Sequence, residues 1–288
     1  MKSRILGVSA LILAALTLGA CSASPRPEGV FLDPNLEAAI REAIGKPTGT
    51  ILPSELEGLT SLQASERGIG NLSGLEYCTN LTDLNLWDNR IRDISPVASL
   101  TNVTRLSLGR NRIADIRPLA SLTSLHDLSL QENRISDVSP LTSLTGLTAL
   151  WLYDNRITDI SPLASLTGLT RLTLSGNELR DVSPLASLSE LAVVSLSYNH
   201  IGDISPLASL TNLTSLDLRN NAIGEIVQLA SLVNLTSLIL GENRIRDISP
   251  LINLERLEVV NLAENPLNTE SVNVYIPQLQ KRGVSISR

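Results

Sequence analysis

Side chains able to do covalent or acid–base chemistry are few in this chain, and they are poorly placed to share a site. Its 288 residues include two histidines, His126 and His200, and two cysteines, Cys21 and Cys78. The histidines are too far apart to act together, and no His/Cys cluster has metal-ligand spacing. Nor is there a glycine-rich loop of the kind that cradles phosphate. An enzyme is therefore not expected, and neither is a cofactor or a metal. Recognition is the chemistry that remains. Trp87, Trp151, Tyr153 and Tyr198 are four of only seven aromatic residues, and such side chains dominate interface energetics. Arg90, Arg112, Arg134 and Arg156, with Arg171, supply positive charge, and Asp88, Glu132 and Asp154 stand two residues before three of them. Such charges serve either solubility and weak pairing, worth little each, or recognition of an acidic partner. A net charge of −6 disfavours nucleic acid as a partner.

These residues hang on a repeating frame. Asn89 recurs as Asn111, Asn133, Asn155, Asn177, Asn199, Asn221, Asn243 and Asn265, always 22 residues apart. A fixed period of this length predicts a solenoid whose copies touch only their neighbours. Residues 81–102, LTDLNLWDNRIRDISPVASLTN, show the unit. Leu84 and Leu86 alternate at period two, as in a short strand with one buried face. Asp88 and Asn89 end that alternation, Ile91 and Ile94 return to the core, and Leu100 closes it. Ser95-Pro96 predicts a tight 3₁₀ or single helical turn, capped by the serine hydroxyl, with proline at its first position.

Stacked copies would pair their strands in parallel, about 4.8 Å apart. Each recurrent asparagine would sit in the turn after its strand. There its amide could bond backbone groups of its own and the adjacent copy, making a buried ladder. Cys78 stands where other copies have Leu100, so it is expected as a buried apolar stand-in. Side chains between and just after the strand leucines face away from the core. Trp151 and Tyr153 share that face, with Trp87 three copies away, roughly 14 Å along the stack. Tyr198, Arg171 and the column Arg90, Arg112, Arg134 and Arg156 are expected on it too.

Both ends of the array depart from the repeat. Residues 30–58 read as a helical N-terminal cap, with Asp33 capping, Pro34 in the first turn and Gly45 as the stop. Leu36, Ile40 and Ile44 make one apolar stripe, and a second short turn covers residues 53–59. The repeats span residues 59–267, about ten copies, the first degenerate, with Arg67 in the asparagine position and Ala64 in a leucine position. Residues 268–288 read as a C-terminal cap. It holds an amphipathic helix over 271–282 with Val272, Tyr275, Ile276 and Leu279 inward, bent or restarted at Pro277, and a short strand over 284–286. Without such caps the end strands would expose unpaired backbone.

Residues 1–20 read as a targeting segment. Lys2 and Arg4 precede an apolar run over residues 5–18, too short to span a bilayer but suited to secretion. It ends in Leu18-Gly19-Ala20-Cys21, which resembles the bacterial lipoprotein lipobox. The resemblance implies cleavage before Cys21 and lipidation of its thiol, with ordinary cleavage a residue or two later as the alternative. Two or three acyl chains hold a protein on a membrane stably. Residues 21–29 would then be the lipidated cysteine and a polar linker. The expected location is outside the cytoplasm, anchored to a bacterial membrane at the cell surface or periplasmic face.

The pattern LxxLxLxxNxIxDISPLxxL over residues 59–267 resembles the bacterial internalin type of leucine-rich repeat. That resemblance implies an α/β solenoid of horseshoe form. Short parallel β-strands would line its concave face and 3₁₀ turns its convex face, with helical caps at both ends. It also implies a monomer whose concave face binds another protein. The alternative is a structural cell-envelope component contacting cell-wall polymer or glycan without a dedicated protein ligand. Glu225-Ile226-Val227-Gln228-Leu229 replaces Asp-Ile-Ser-Pro-Leu and is expected to loosen one convex turn.

Overall fold

Each strand is three residues long, and through the repeat copies a buried leucine or valine sits at its centre between neighbours that mostly face outward. In chain order these are β1 (Ser61–Gln63), β2 (Asp83–Asn85), β3 (Arg105–Ser107), β4 (Asp127–Ser129), β5 (Ala149–Trp151) and β6 (Arg171–Thr173). They continue as β7 (Val193–Ser195), β8 (Ser215–Asp217), β9 (Ser237–Ile239), β10 (Val259–Asn261) and β11 (Ser285–Ser287). The computed structural model describes residues 30–288. The targeting segment, Cys21 and the linker lie outside the described residues. All eleven strands form one open sheet in sequence order, every pair parallel. Leu84 pairs with Leu62 on one side and Leu106 on the other, one copy away each way.

Seven aliphatic residues per copy fill the core. In the second copy Leu81, Leu84, Leu86, Ile91, Ile94, Val97 and Leu100 are all buried, as is Cys78 in the first. Behind the strands runs the asparagine column. Asn155 Oδ1 accepts the Ile135 N–H at 3.0 Å, while its Nδ2 donates to the carbonyls of Leu130 at 3.0 Å and Leu152 at 3.1 Å. The other recurrent asparagines repeat this reach, two bonds into the copy before and one into their own, with a longer one to the next carbonyl, which the ladder also uses, as at Asn111 and Asn243. The first three are to backbone groups that the strand ladder leaves unpaired, and burial makes an unpaired one costly. Arg67 in the first copy turns outward and pairs with Glu42 of the cap at 2.7 Å.

The convex side is a row of five-residue 3₁₀ turns, such as Ser95–Ser99 and Ser161–Ser165. Their cap is not the serine hydroxyl expected to supply it. Asp93 Oδ1 accepts the Ser95 N–H at 2.8 Å, and Asp137, Asp159, Asp181, Asp203 and Asp247 do the same for their own serines. The unpaired group is the serine's own N–H, and a short carboxylate two residues earlier reaches it most directly. The closing serine of the turns from Ser95–Ser99 to Val227–Ser231 instead donates to a carbonyl of the preceding copy, as Ser187 Oγ does to Ala164 at 3.0 Å. The Val227–Ser231 turn, expected to be loosened, keeps its five residues and loses only the side-chain cap. Buried Leu229 holds it in place.

Helix α1 (Pro34–Ala43) begins at Asp33, whose Oδ1 accepts the N–H groups of Asn35 and Leu36. Its Oδ2 accepts those of Gly70 at 2.7 Å and Asn71 at 3.1 Å, which staples the cap to the first copy. Burial pushes this carboxyl's pKa up, but the four N–H bonds outweigh it and leave the net value lowered. The buried stripe is Leu36, Ala39 and Ile40, with Ile44 only half-buried because the chain ends the helix there and Gly45 turns left-handed at φ +67°. Helix α2 (Pro53–Glu57) follows. At the other end a π-helical turn over Ser271–Tyr275 runs into α3 (Ile276–Lys281). Pro277 lacks an N–H, so α3 restarts there. Ile276 and Leu279 point inward, but Val272 and Tyr275 are only half-buried. Among the described residues no helix is long and apolar enough to cross a membrane.

Candidate functional site

Strand alternation leaves a few side chains per copy on the concave face, and these differ from copy to copy. On β2 to β5 they gather into two adjoining clusters. In the first, Arg105 donates to Asp83 Oδ2 at 2.6 Å and 3.0 Å. Its pKa is raised by that hydrogen bond first, then by the charges of Asp83 and Asp127. Arg105, Asp83, Asp127 and Trp151 line a shallow recess of about 270 Å³.

Gly109 makes the second cluster possible. A Cβ there would sit 2.7 Å from the Gln131 side chain and 3.0 Å from Trp87 Cδ1, so only glycine lets the two close over it. Arg110 lies 5.0 Å above the Trp87 ring and pairs with Asp88 at 3.1 Å and Glu132 at 3.2 Å. Burial raises the pKa of the Tyr153 phenol, and the Glu132 and Asp154 carboxylates raise it further. The result is a half-buried aromatic and charged surface suited to binding rather than to bond-making.

Trp87 on the second copy and Trp151 and Tyr153 on the fifth thus face the same side three copies apart, with Arg105, Arg110 and Gln131 on the copies between them. Arg171 on β6 lies 6.0 Å from the Trp151 ring. Tyr198 stands apart, 49% exposed, with Arg219 5.7 Å from its ring. Arg90, Arg112, Arg134 and Arg156 are placed elsewhere. Their N–H groups donate to the carbonyls of Ile69, Ile91, Ile113 and Ile135, past the asparagine turn, where the chain has left the sheet. The reversal comes one residue before each asparagine. Glu66, Asp88, Arg110, Glu132, Asp154, Tyr198, Asn220, Glu242 and Glu264 hold positive φ of 52° to 59°, and Gly176 does so in the remaining copy. Arg90 and Arg112 line a separate recess on the flank. Residue spacing alone missed Arg105, Arg110, Asp127 and Gln131. Reading the outward strand positions copy by copy would have found them.

Among the described residues no group of three or more His, Cys, Asp or Glu could hold a metal ion. His126 and His200 are exposed and lie on different copies.

An eleven-stranded parallel ladder, 3₁₀ turns opposite it and an asparagine column between them define a leucine-rich repeat solenoid. The model of the Leucine Rich repeats (2 copies) family matches residues 101–143, 145–187 and 189–231. An internalin (InlF) of Listeria monocytogenes is 34% identical over 93% of this chain and 92% of its own, with a TM-score of 0.74. Internalin C2 of the same organism is 37% identical over 84% of this chain and 98% of its own, with a TM-score of 0.68. A leucine-rich repeat protein of Leptospira interrogans shares the fold at 23% identity, covering 82% of this chain and 62% of its own, with a TM-score of 0.74. No curated protein matches the chain. The chain belongs to the internalin-like leucine-rich repeat proteins, whose fold is typical of protein–protein interaction modules.

Proposed function

We propose that this protein is an exported, lipid-anchored scaffold that binds a protein partner through the concave face of β2 to β5. One observation carries the reading: Trp87 and the pair Trp151 and Tyr153 flank Arg105 and Arg110 along the same face of the second to fifth copies. Aromatic and arginine side chains in a half-desolvated cluster are the usual anchors of protein interfaces. By contrast the outward positions of β7 to β10 include Val193, Ser195, Ser215, Ser237 and Val259. The glycan reading of the same face is weaker, because a sugar stacks on an open ring, and Arg110 and Arg171 lie over Trp87 and Trp151. Anchoring rests on the lipobox-like Leu18-Gly19-Ala20-Cys21.

The test compares partner capture by the parent protein and by a Trp87→Ala/Trp151→Ala variant. A protein held saturably by the parent should bind the variant at least tenfold more weakly, a loss of about 1.4 kcal/mol or more. Unchanged capture sinks the concave-face reading. Replacing Cys21→Ser should move the protein from the membrane to the soluble fraction, and retention on membranes would rule out the lipid anchor.

A further inference from the structure

The flank recess does a different job from the concave face. It has a volume of about 440 Å³, and Arg90, Arg92 and Arg112 line it with only one acid, Asp93. In a chain of net charge −6 this is a local excess of positive charge. All three arginines are exposed, and among the described residues none makes a side-chain hydrogen bond or ion pair. Other arginines nearby do: Arg41, Arg67, Arg105, Arg110 and Arg117 each hold a carboxylate. Asp93 therefore leaves the recess about two positive charges in excess, and the nearby acids make their hydrogen bonds to groups other than these three arginines. Asp93 Oδ1 takes the Ser95 N–H, Asp115 is held by Arg117, and Asp33 takes four backbone N–H groups. Arg134 and Arg156 continue the column at one-copy intervals of roughly 5 Å.

We infer that this flank recess binds a phosphate-bearing polysaccharide. Converging guanidinium groups favour a multiply charged oxyanion, which they grip with paired N–H donors. The apolar walls are too poor for other polyanions. No aromatic lines the recess, and of its apolar residues Leu72 is buried and Pro96 is half-buried. An acidic protein segment would find no pocket for an apolar anchor, and single-stranded nucleic acid would find no ring to stack on. Phosphates on a hydroxylated chain need neither. The one-copy spacing of Arg112, Arg134 and Arg156 lets such a chain run along the flank, leaving the concave face free. The assignment does not rest on the protein-binding reading.

The experiment titrates the full chain with phosphomannan, with neutral mannan, poly-glutamate and single-stranded DNA as comparison polymers. Phosphomannan should bind at least tenfold more tightly than the other three, and more weakly as salt rises. An Arg90→Ala/Arg92→Ala/Arg112→Ala variant should lose at least tenfold in affinity with an unchanged melting temperature, since these side chains have no internal partner. Arg244→Ala/Arg246→Ala removes the same two columns in the ninth copy, where no third arginine adjoins, and should bind as the parent does. Trp151→Ala should also bind normally, which separates this site from the concave face. Undiminished binding by the triple variant overturns the proposal. So does an equal loss at Arg244 and Arg246, or poly-glutamate or DNA binding as tightly as phosphomannan.

Discussion

Residues Asp88 and Asn89 are chain neighbours, yet their columns follow opposite rules. The Asn89 column is asparagine in nine successive copies, whereas the Asp88 column reads Asp, Arg, Glu, Asp, Gly, Tyr, Asn, Glu and Glu. Backbone conformation does not explain the difference. Every member of the varied column is left-handed, a state that costs an ordinary L-residue roughly 1 kcal/mol and that glycine or asparagine would enter easily. The side chains explain it. Each asparagine turns inward and bonds backbone groups of two copies, using both donors and the acceptor of one short side chain. Its neighbour turns outward, where only local partners exist, as Arg110 finds Asp88 and Glu132. Identity is fixed where the backbone needs a partner and left open where only the surface is affected, even against the conformational preference. Glutamate, arginine and tyrosine thus stand in positions that glycine would adopt more easily.

Breaking the inward column should have the largest effect. Asn155→Ala orphans the buried Ile135 N–H and leaves the Leu130 and Leu152 carbonyls with one amide donor each, from Asn133 and Asn177, and should destabilise the protein by about 2 kcal/mol. Because copies are coupled only to their neighbours, urea unfolding should also broaden and split into two steps. A single sharp transition with a loss under about 1 kcal/mol would mean that water replaces the amide and that the column is dispensable. Changing the outward column should act in the opposite direction. Glu132→Gly relieves a left-handed glutamate at φ +53° and should stabilise the fold by up to about 1 kcal/mol, net of the chain entropy of glycine. It also removes one carboxylate from Arg110, so partner binding should weaken while the melting temperature rises. Destabilisation by Glu132→Gly would show that the outward side chains also hold up the frame.

The same contrast governs what was legible in the sequence. The period, the strand leucines and the asparagine column could be read because every copy poses the same backbone problem and solves it with the same residue. The 3₁₀ turns were legible from Ser-Pro, but their cap was not. Ser95 and Asp93 are both plausible acceptors on paper, and only the geometry shows that the N–H in need is the serine's own. Arg90, Arg112, Arg134 and Arg156 share one rank in their copies, which suggests the concave face, yet they stand on the flank. Periodicity groups residues by rank along the chain and says nothing of direction, and one left-handed residue reverses that direction just before them. Gly109 carried a faint signal, a glycine in an outward position after a strand. That Trp87 and Gln131 meet over it could only come from the fold.

The smallest effect concerns the convex turns and separates them from the strand side by pH. The Asp159 and Asp203 carboxylates have pKa values lowered by the N–H of the following serine first and its hydroxyl second, and in Asp137 the hydroxyl leads. Asp115 lies lower still, at about 2, through its hydrogen bonds to the Arg117 side chain and then the Arg117 N–H. A carboxyl whose folded pKa lies below its unfolded value of 3.8 contributes stability that is fully present above 3.8. That contribution disappears as pH falls toward the folded value. The melting temperature should therefore hold steady down to about pH 4 and then fall as pH drops toward 2. Asp159→Asn keeps an acceptor for the Ser161 N–H but cannot titrate. Its melting temperature should drop less between those limits than the parent's, at the expense of a slightly lower plateau at neutral pH. These carboxylates are exposed to solvent, so the difference per site will be small, and replacing Asp137, Asp159 and Asp203 together should make it measurable. If the triple variant follows the parent's acid curve throughout, these carboxylates do not hold the turns. The convex face would then owe its regularity to the buried Val97 and Leu229 positions and the serine bonds between copies, and its aspartates would be as free to vary as the side chains of the concave face.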